Sequence, residues 1–236
     1  MLTVVTGMLV VYVTLAVAFV GIGLLLTHIA AVTRWDQHAS VLAARHRTPF
    51  WNQVSHWGTF IANTLGVIVV AAIVTAAMGI RRQWRRAAIV VGGLIVELAV
   101  FLTVNYTVRR PRPAVKHLGS TPSTYSFPSG HAAATLVLYG GIALIVTCLT
   151  GNWMLRALSW TAAVVFPLWV AFSRVAEGQH HLTDVAVGLV MGAGVLVVLE
   201  PLTVGAPPDA ERHDPHDEAV TVHDRGHVVL HARVPS

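Results

Sequence analysis

Charge is what this sequence has least of. Asp, Glu, Lys and Arg make up 11% of its 236 residues, where a soluble domain carries about 25%. Hydrophobic residues make up 55%, and the mean hydropathy is +0.65. Together these exclude a disordered chain and argue against an ordinary soluble globule. Acids are scarcer still along most of the chain. Only Asp36, Glu97, Glu177, Asp184 and Glu200 precede residue 205; the other six of the 11 crowd between Asp209 and Asp224. A single cysteine, Cys148, rules out an intramolecular disulfide. No Cys/His spacing of the zinc type is present. The net charge of +5 and isoelectric point near 10.1 would ordinarily suggest nucleic acid. A chain this apolar fits a membrane surface or an anionic lipid better, so no nucleic-acid partner is expected.

What is abundant is apolar runs long enough to cross a bilayer, which takes about 20 residues. Six stretches are read as spans: Val4–Val32, His56–Ile80, Ala87–Val108, His131–Leu149, the shorter Leu158–Phe172, and Asp184–Val204. The first is too long for a signal-peptide core and has no basic region before it, so it reads as a retained span. Between the first two spans, Arg34–Ser55 mixes basic residues with Trp35, Phe50 and Trp51. That composition suits an amphipathic segment at the interface. The fold class expected is therefore all-α: a polytopic six-helix membrane bundle over residues 1–204. A polar, flexible tail is expected over 205–236, with Ala219–Val222 and His227–Val234 its candidate hairpin. The tail histidines are too irregularly spaced to read as a metal site.

The turn Arg81, Arg82, Arg85, Arg86 is strongly basic and is expected to face the cytoplasm. Both termini then lie inside, and the connections 33–55, 109–130 and 173–183 all lie outside. Arg109, Arg110, Arg112 and Lys116 fall on that outer side, against the same rule. The exception suggests that these charges are there for chemistry.

Three clusters stand at span ends on that side. Arg109-Arg110-Pro111-Arg112-Pro113 ends a helix at its prolines and offers guanidiniums, which grip phosphate in planar, bidentate fashion. On a plain surface the same run would be a lipid-headgroup anchor. Phe127-Pro128-Ser129-Gly130-His131 begins a span, where helix amides make an anion site and glycine lets the backbone come close. Its plainer meaning is a capped helix with an interfacial histidine. Ser173-Arg174, His180 and Asp184 form the third cluster. His180 and Asp184 are four apart, so a helix would put them on one face, where the carboxylate can take the imidazole Nδ1–H and free Nε2 as nucleophile or base. The plainer meaning here is a structural His–Asp pair. His181 is read as a bystander. The conjunction on one membrane face favours a metal-free phosphoryl site.

These residues resemble the phosphatidic acid phosphatase type 2 superfamily, which also includes the vanadium haloperoxidases. Its pattern is Lys, six residues, Arg-Pro; then Pro-Ser-Gly-His; then Ser-Arg, five residues, His, three residues, Asp. Arg112-Pro113 matches the end of the first motif, Pro128-Ser129-Gly130-His131 the second, and Ser173-Arg174, His180 and Asp184 the third. The resemblance spans about residues 54–204 and departs at one position, where Asn105 replaces the Lys. Asn brings a hydrogen bond to phosphate but no charge, and Arg109 or Arg110 is expected to compensate.

The resemblance implies a lipid phosphatase that needs no metal or cofactor. Arg112, Arg174, Arg110, Asn105, Ser129 and Gly130 would hold the phosphate. His180, oriented by Asp184, would attack phosphorus to form a phosphohistidine. His131 would protonate the leaving oxygen and then activate water. The expected substrate is a lipid phosphate or an isoprenoid diphosphate such as a polyprenyl carrier of cell-wall synthesis, reached from the bilayer at the outer face of the plasma membrane. A lipid-phosphate flippase and a catalytically weakened binder are the competing readings. Glu97 and His28 fall inside spans, where ionisable groups are functional candidates by default, but a snorkelling or interhelix hydrogen bond is the expected role of both.

Overall fold

The computed structural model describes residues 2–203, so the expectations for the tail lie outside the described residues. Eight helices occupy this part: α1 Leu2–His28, α2 Ala30–Arg45, α3 Pro49–Ile61, α4 Thr64–Ile80, α5 Trp84–Val108, α6 Gly130–Leu149, α7 Trp153–Ala176 and α8 Leu182–Thr203. Five are long and apolar enough to span a membrane, within α1, α5, α6, α7 and α8. The pair α3 and α4 makes up to a sixth, bent by 47° at its break.

The expected second span is therefore not one straight helix from His56. Asn63 restarts the helix, its Oδ1 accepting from the Gly66 amide at 2.6 Å. A side chain that caps a new first turn competes with continuation of the old one. Thr48 caps α3 in the same way, with Pro49 at the first helical position. The expected first span is also shorter than read, because the backbone turns extended at Ile29 and the amphipathic α2 follows. The fifth span is longer than read. Asn152 caps α7 through Met154 and Leu155, so the helix runs 24 residues and carries Ser173 and Arg174 in its last turn.

The bundle is apolar on its outer surface and buries polar and charged side chains at one end. Leu65, Ile73, Val164 and Val197 are exposed, while Asp36, Asn105, Gln179 and Asp184 are wholly buried. That is the distribution a bilayer selects, since lipid tails accept leucine and reject unpaired charge. Between the helices, Val100, Val104, Phe127, Ala133, Val137, Met191 and Val195 form one core cluster. The connections joining α1 to α4, α5 to α6, and α7 to α8 meet at one end: Arg110 touches both Asp36 and Asp184, and the Leu118 amide donates to the Glu177 carbonyl. All three expected outer connections are thus gathered. The exposed Arg81 and Arg82 lie between α4 and α5, and the exposed Arg85 lies in the first turn of α5.

Helix α8 reaches this end through small residues. A Cβ on Gly188 would stand 2.5 Å from the Ser129 carbonyl oxygen, and one on Gly192 would stand 2.8 Å from that of Ala133. The two glycines are one turn apart, so α8 lies directly on the start of α6. Gly188→Ala should overpack this contact by about 1–3 kcal/mol. It should lower the melting temperature in detergent and displace Ser129. Gly151→Ala, whose added carbon meets nothing within 4 Å, should change neither.

Candidate active site

The site begins with the turn between α7 and α8. The Glu177 amide closes α7 onto Ser173, Gly178 takes a left-handed φ of 74°, and the Gln179 and His180 amides both donate to the Arg174 carbonyl. Gly178 serves twice, since a Cβ there would also stand 2.8 Å from Arg47 Nη2. Arg47 closes the turn from outside, donating to the carbonyls of Ala176 at 2.7 Å and Lys116 at 2.6 Å. A guanidinium at a helix C-terminus also complements the helix dipole. The result fixes His180 beside Arg174.

His180 is buried, and its Nδ1 lies 2.6 Å from the carbonyl oxygen of Ser126. A carbonyl can only accept, so the proton sits on Nδ1 and Nε2 keeps its lone pair. The expected bond from Nδ1 to Asp184 is corrected: Asp184 Oδ2 is 3.8 Å away, beyond hydrogen-bond reach. Asp184 instead holds the frame around the ring. Its Oδ2 accepts from the Ser126 hydroxyl and from the His181 amide at 2.8 Å, and its Oδ1 accepts from Arg110 at 2.5 Å. Its carbonyl receives the Ser129 amide at 3.0 Å. One residue thus connects the second and third clusters.

Arg112 and Arg174 reach toward the same space. Arg112 Nη1 donates to the Gln179 carbonyl at 2.6 Å and Nη2 to Thr124 at 3.0 Å, leaving Nε buried without a partner. Arg174 Nη1 binds Glu177 at 3.0 Å, while its Nε and Nη2 are buried and unpartnered. The Ser129 hydroxyl is buried and unpartnered too, and it does not cap α6. Arg112, Arg174, Gly130, His131 and His180 line a cavity of about 920 Å³. Its far wall is apolar, formed by Val67, Ile68, Leu94, Leu98 and Phe101 of α4 and α5. Buried donors left without acceptors are costly, and an anion bringing several oxygens would satisfy them together.

Two residues expected to hold phosphate do not face this cavity. Arg110 is buried and spends its guanidinium on Asp184, Asp36 and the Thr183 hydroxyl. Asn105 is wholly buried and clamps backbone: Nδ2 donates to the Tyr125 and Phe127 carbonyls at 2.9 Å, and Oδ1 accepts from the Tyr125 amide at 3.0 Å. Arg109 is exposed and donates to its own helix at Tyr106. None of them replaces the missing lysine. His28 likewise takes no part: it is exposed at the end of α1 and bonds the Leu24 carbonyl. Glu97 does line the cavity, buried within α5, with Oε1 unpartnered.

Several residues of the site escaped sequence reading: Asp36, Ser126, Thr183 and Glu177. Glu177 is buried on the cavity wall, bound by the Thr59 hydroxyl at 2.9 Å and by Arg174. Burial raises its carboxyl above the usual range, an effect that Thr59 and Arg174 oppose. Burial also lowers the Arg112 guanidinium, with Asp184 acting the other way.

With this geometry in view, the relatives are informative. Residues 86–203 match the PAP2 superfamily, and the chain belongs to it. It is 33% identical over 150 residues to the decaprenylphosphoryl-5-phosphoribose phosphatase of Mycobacterium tuberculosis, covering 62% of this chain and 75% of that protein. It is 28% identical over 128 residues to the undecaprenyl-diphosphatase of Sulfolobus acidocaldarius, covering 52% of this chain and 58% of that one. In fold it is similar to the transmembrane PAP2 type phosphatidylglycerolphosphate phosphatase of Bacillus subtilis. There the TM-score is 0.71 at 23% identity, over 86% of this chain and 97% of the other. The fold is thus that of a multi-pass membrane member of the superfamily.

Burial lowers the His180 imidazole below its ordinary value of 6.5, outweighing the raising influence of Asp184, and Arg174 and Arg112 lower it further. The neutral ring, the form able to attack, is then complete at a lower pH than for a free histidine. Imidazole NMR of 15N-histidine-labelled protein, with the His180 signal assigned through His180→Gln, should give a midpoint below 6.5. A midpoint above it would contradict this electrostatic balance.

Proposed function

We propose that this protein is an integral-membrane lipid phosphatase acting through a phosphohistidine at His180, without a metal ion. The observation that carries this reading is the convergence of unpartnered donors. Arg112 Nε and Arg174 Nε and Nη2 are buried without partners in residues that line, with His131 and His180, an otherwise largely apolar cavity, and the Ser129 hydroxyl is buried without a partner next to Gly130 in that lining. Guanidiniums supply the charge neutralisation that phosphoryl transfer needs. The apolar wall suits a lipid leaving group.

Nε2 of neutral His180 attacks phosphorus, and the bond from phosphorus to the leaving oxygen breaks. His131 gives its proton to that oxygen, which matters because a lipid alkoxide leaves poorly. In the second half His131 takes a proton from water, the water oxygen attacks phosphorus, and the P–N bond breaks. Arg112, Arg174, Ser129 and the amides opening α6 hold the equatorial oxygens throughout. Asp184 and the Ser126 carbonyl keep the His180 ring in place.

The substrate class is a lipid phosphate or polyprenyl phosphate or diphosphate, in line with the substrates in the relatives' names. The basic α4–α5 turn supports cytoplasmic termini and a site on the outer face of the cell membrane. The body over 1–204 would form one catalytic domain, with 205–236 a separate tail.

Purified protein in detergent should release phosphate from dioctanoyl phosphatidic acid or from a polyprenyl diphosphate, undiminished by EDTA and inhibited by vanadate. His131→Ala should lower turnover by about 10²–10⁴-fold. His180→Ala should abolish it, together with the acid-labile label trapped from a 32P-labelled substrate. Retained turnover in His180→Ala would refute the mechanism. Lipid movement without phosphate release in proteoliposomes would favour a flippase, and tight binding without either would favour a silent binder.

A further inference from the structure

Arg110 was expected at the phosphate, and the structure shows it elsewhere. Its Nη1 is 2.5 Å from Asp184 Oδ1 and its Nη2 is 2.7 Å from Asp36 Oδ2. Arg110 is 3% exposed and both carboxylates are fully buried. Thr183 fastens the joint: its hydroxyl accepts from Arg110 Nη1 at 2.7 Å and donates to Asp36 Oδ2, while its amide donates to Asp36 Oδ1 at 3.1 Å. Asp36 sits on α2, the amphipathic helix, outside the residues matched to the superfamily.

We infer that Asp36, Arg110 and Thr183 are positioning residues for the reaction at His180, acting through Asp184 and not by touching phosphate. This rests on the proposed phosphatase reading. The chain of contact is short. Asp184 fixes Ser126 through its hydroxyl, and Ser126 fixes His180 through its carbonyl. Without Arg110, Asp184 would be a buried carboxylate with its Oδ1 unanswered and free to turn. Without Asp36, Arg110 would have one acid instead of two and would be drawn wholly onto Asp184. Helix α2 thereby sets the position of a carboxylate 148 residues further along, and any shift of α2 reaches His180 by this route.

The charges facing this array are known from each side. His180 faces Asp184 on α8, Arg174 on α7, His131 on α6 and Arg112 in the α5–α6 connection. Asp184 faces Arg110, His180 and His181. Removing the Arg110 charge leaves Asp184 more negative toward His180, so its titration should move up. Removing the Asp36 charge leaves Arg110 less compensated, so the titration should move down. These opposite shifts follow from the charges themselves and report that the array is electrically coupled to His180; the positioning role is read from kcat falling at unchanged KM.

The test uses full-length protein in detergent with dioctanoyl phosphatidic acid. Asp36→Asn and Arg110→Met should each lower kcat about ten- to a hundredfold with KM within twofold. The His180 imidazole midpoint should fall in the first variant and rise in the second. Thr183→Val, which removes only a hydroxyl, should lower kcat about three- to tenfold at wild-type melting temperature, and it decides the matter if the charge variants fail to fold. Wild-type kcat in folded Asp36→Asn or Thr183→Val would overturn the inference. A raised KM at unchanged kcat in Arg110→Met would also overturn it, by making Arg110 a phosphate ligand. If wild-type protein releases no phosphate, the phosphatase reading fails, while midpoints that move in opposite directions would still show the array coupled to His180 and midpoints that do not move would overturn that coupling.

Discussion

Asp184 is a carboxylate with no access to solvent in a bundle built for lipid, and most of the site follows from what that charge requires. An isolated ion in such surroundings costs several kcal/mol even after relaxation. Three donors meet it, Arg110, the Ser126 hydroxyl and the His181 amide, and the His180 ring stands 3.8 Å away. Each donor comes from a different stretch of chain or a different position in the α7–α8 turn. Satisfying the carboxylate therefore brings the α5–α6 connection against the start of α8. Arg110 in turn needs a second acid to share its buried charge, and Asp36 draws α2 into the same joint. The catalytic geometry and the folding of this end of the bundle answer to one electrostatic demand.

That demand also explains how Arg110 and Arg112, two residues apart, divide their work. Arg110 is engaged by two carboxylates and the Thr183 hydroxyl, and it does not line the cavity. Arg112 is engaged mainly by neutral carbonyls, which orient it without cancelling its charge, and its Nε stays open. A guanidinium bound by carbonyls remains a strong anion receptor, whereas one bound by two carboxylates does not. Arg174 lies between these cases, with Glu177 on one nitrogen and two nitrogens free.

Much of this was legible in the sequence because much of it is local. The Ser129-Gly130-His131 helix start, and His180 four residues before Asp184, are set by spacing along one stretch of chain. The apolar runs gave the spans, except where Asn63 and Ile29 interrupt helices that hydropathy alone would continue. What the sequence could not reveal is long-range pairing of charge. Arg109, Arg110 and Arg112 read alike, and only the fold exposes the first, buries the second between acids and turns the third to the cavity. Asp36 reads as one polar residue on an amphipathic helix, although its partner Arg110 lies 74 residues on.

Asn105 shows the same limit from the other direction. Read as a lysine lost, it suggests a weaker grip on phosphate. An amide, however, can donate and accept at once, which an ammonium cannot. Asn105 uses both capacities on the backbone of Tyr125 and Phe127, the residues flanking Ser126. Ser126 is the residue whose carbonyl holds the His180 ring and whose hydroxyl binds Asp184. The substitution therefore exchanges a positive charge for a clamp on the segment that orients His180. Charge, scarce in the chain, is gathered in the site: Asp36, Arg110 and Asp184 form a buried frame, Asn105 holds backbone without charge, and Arg112 and Arg174 carry charge to the cavity.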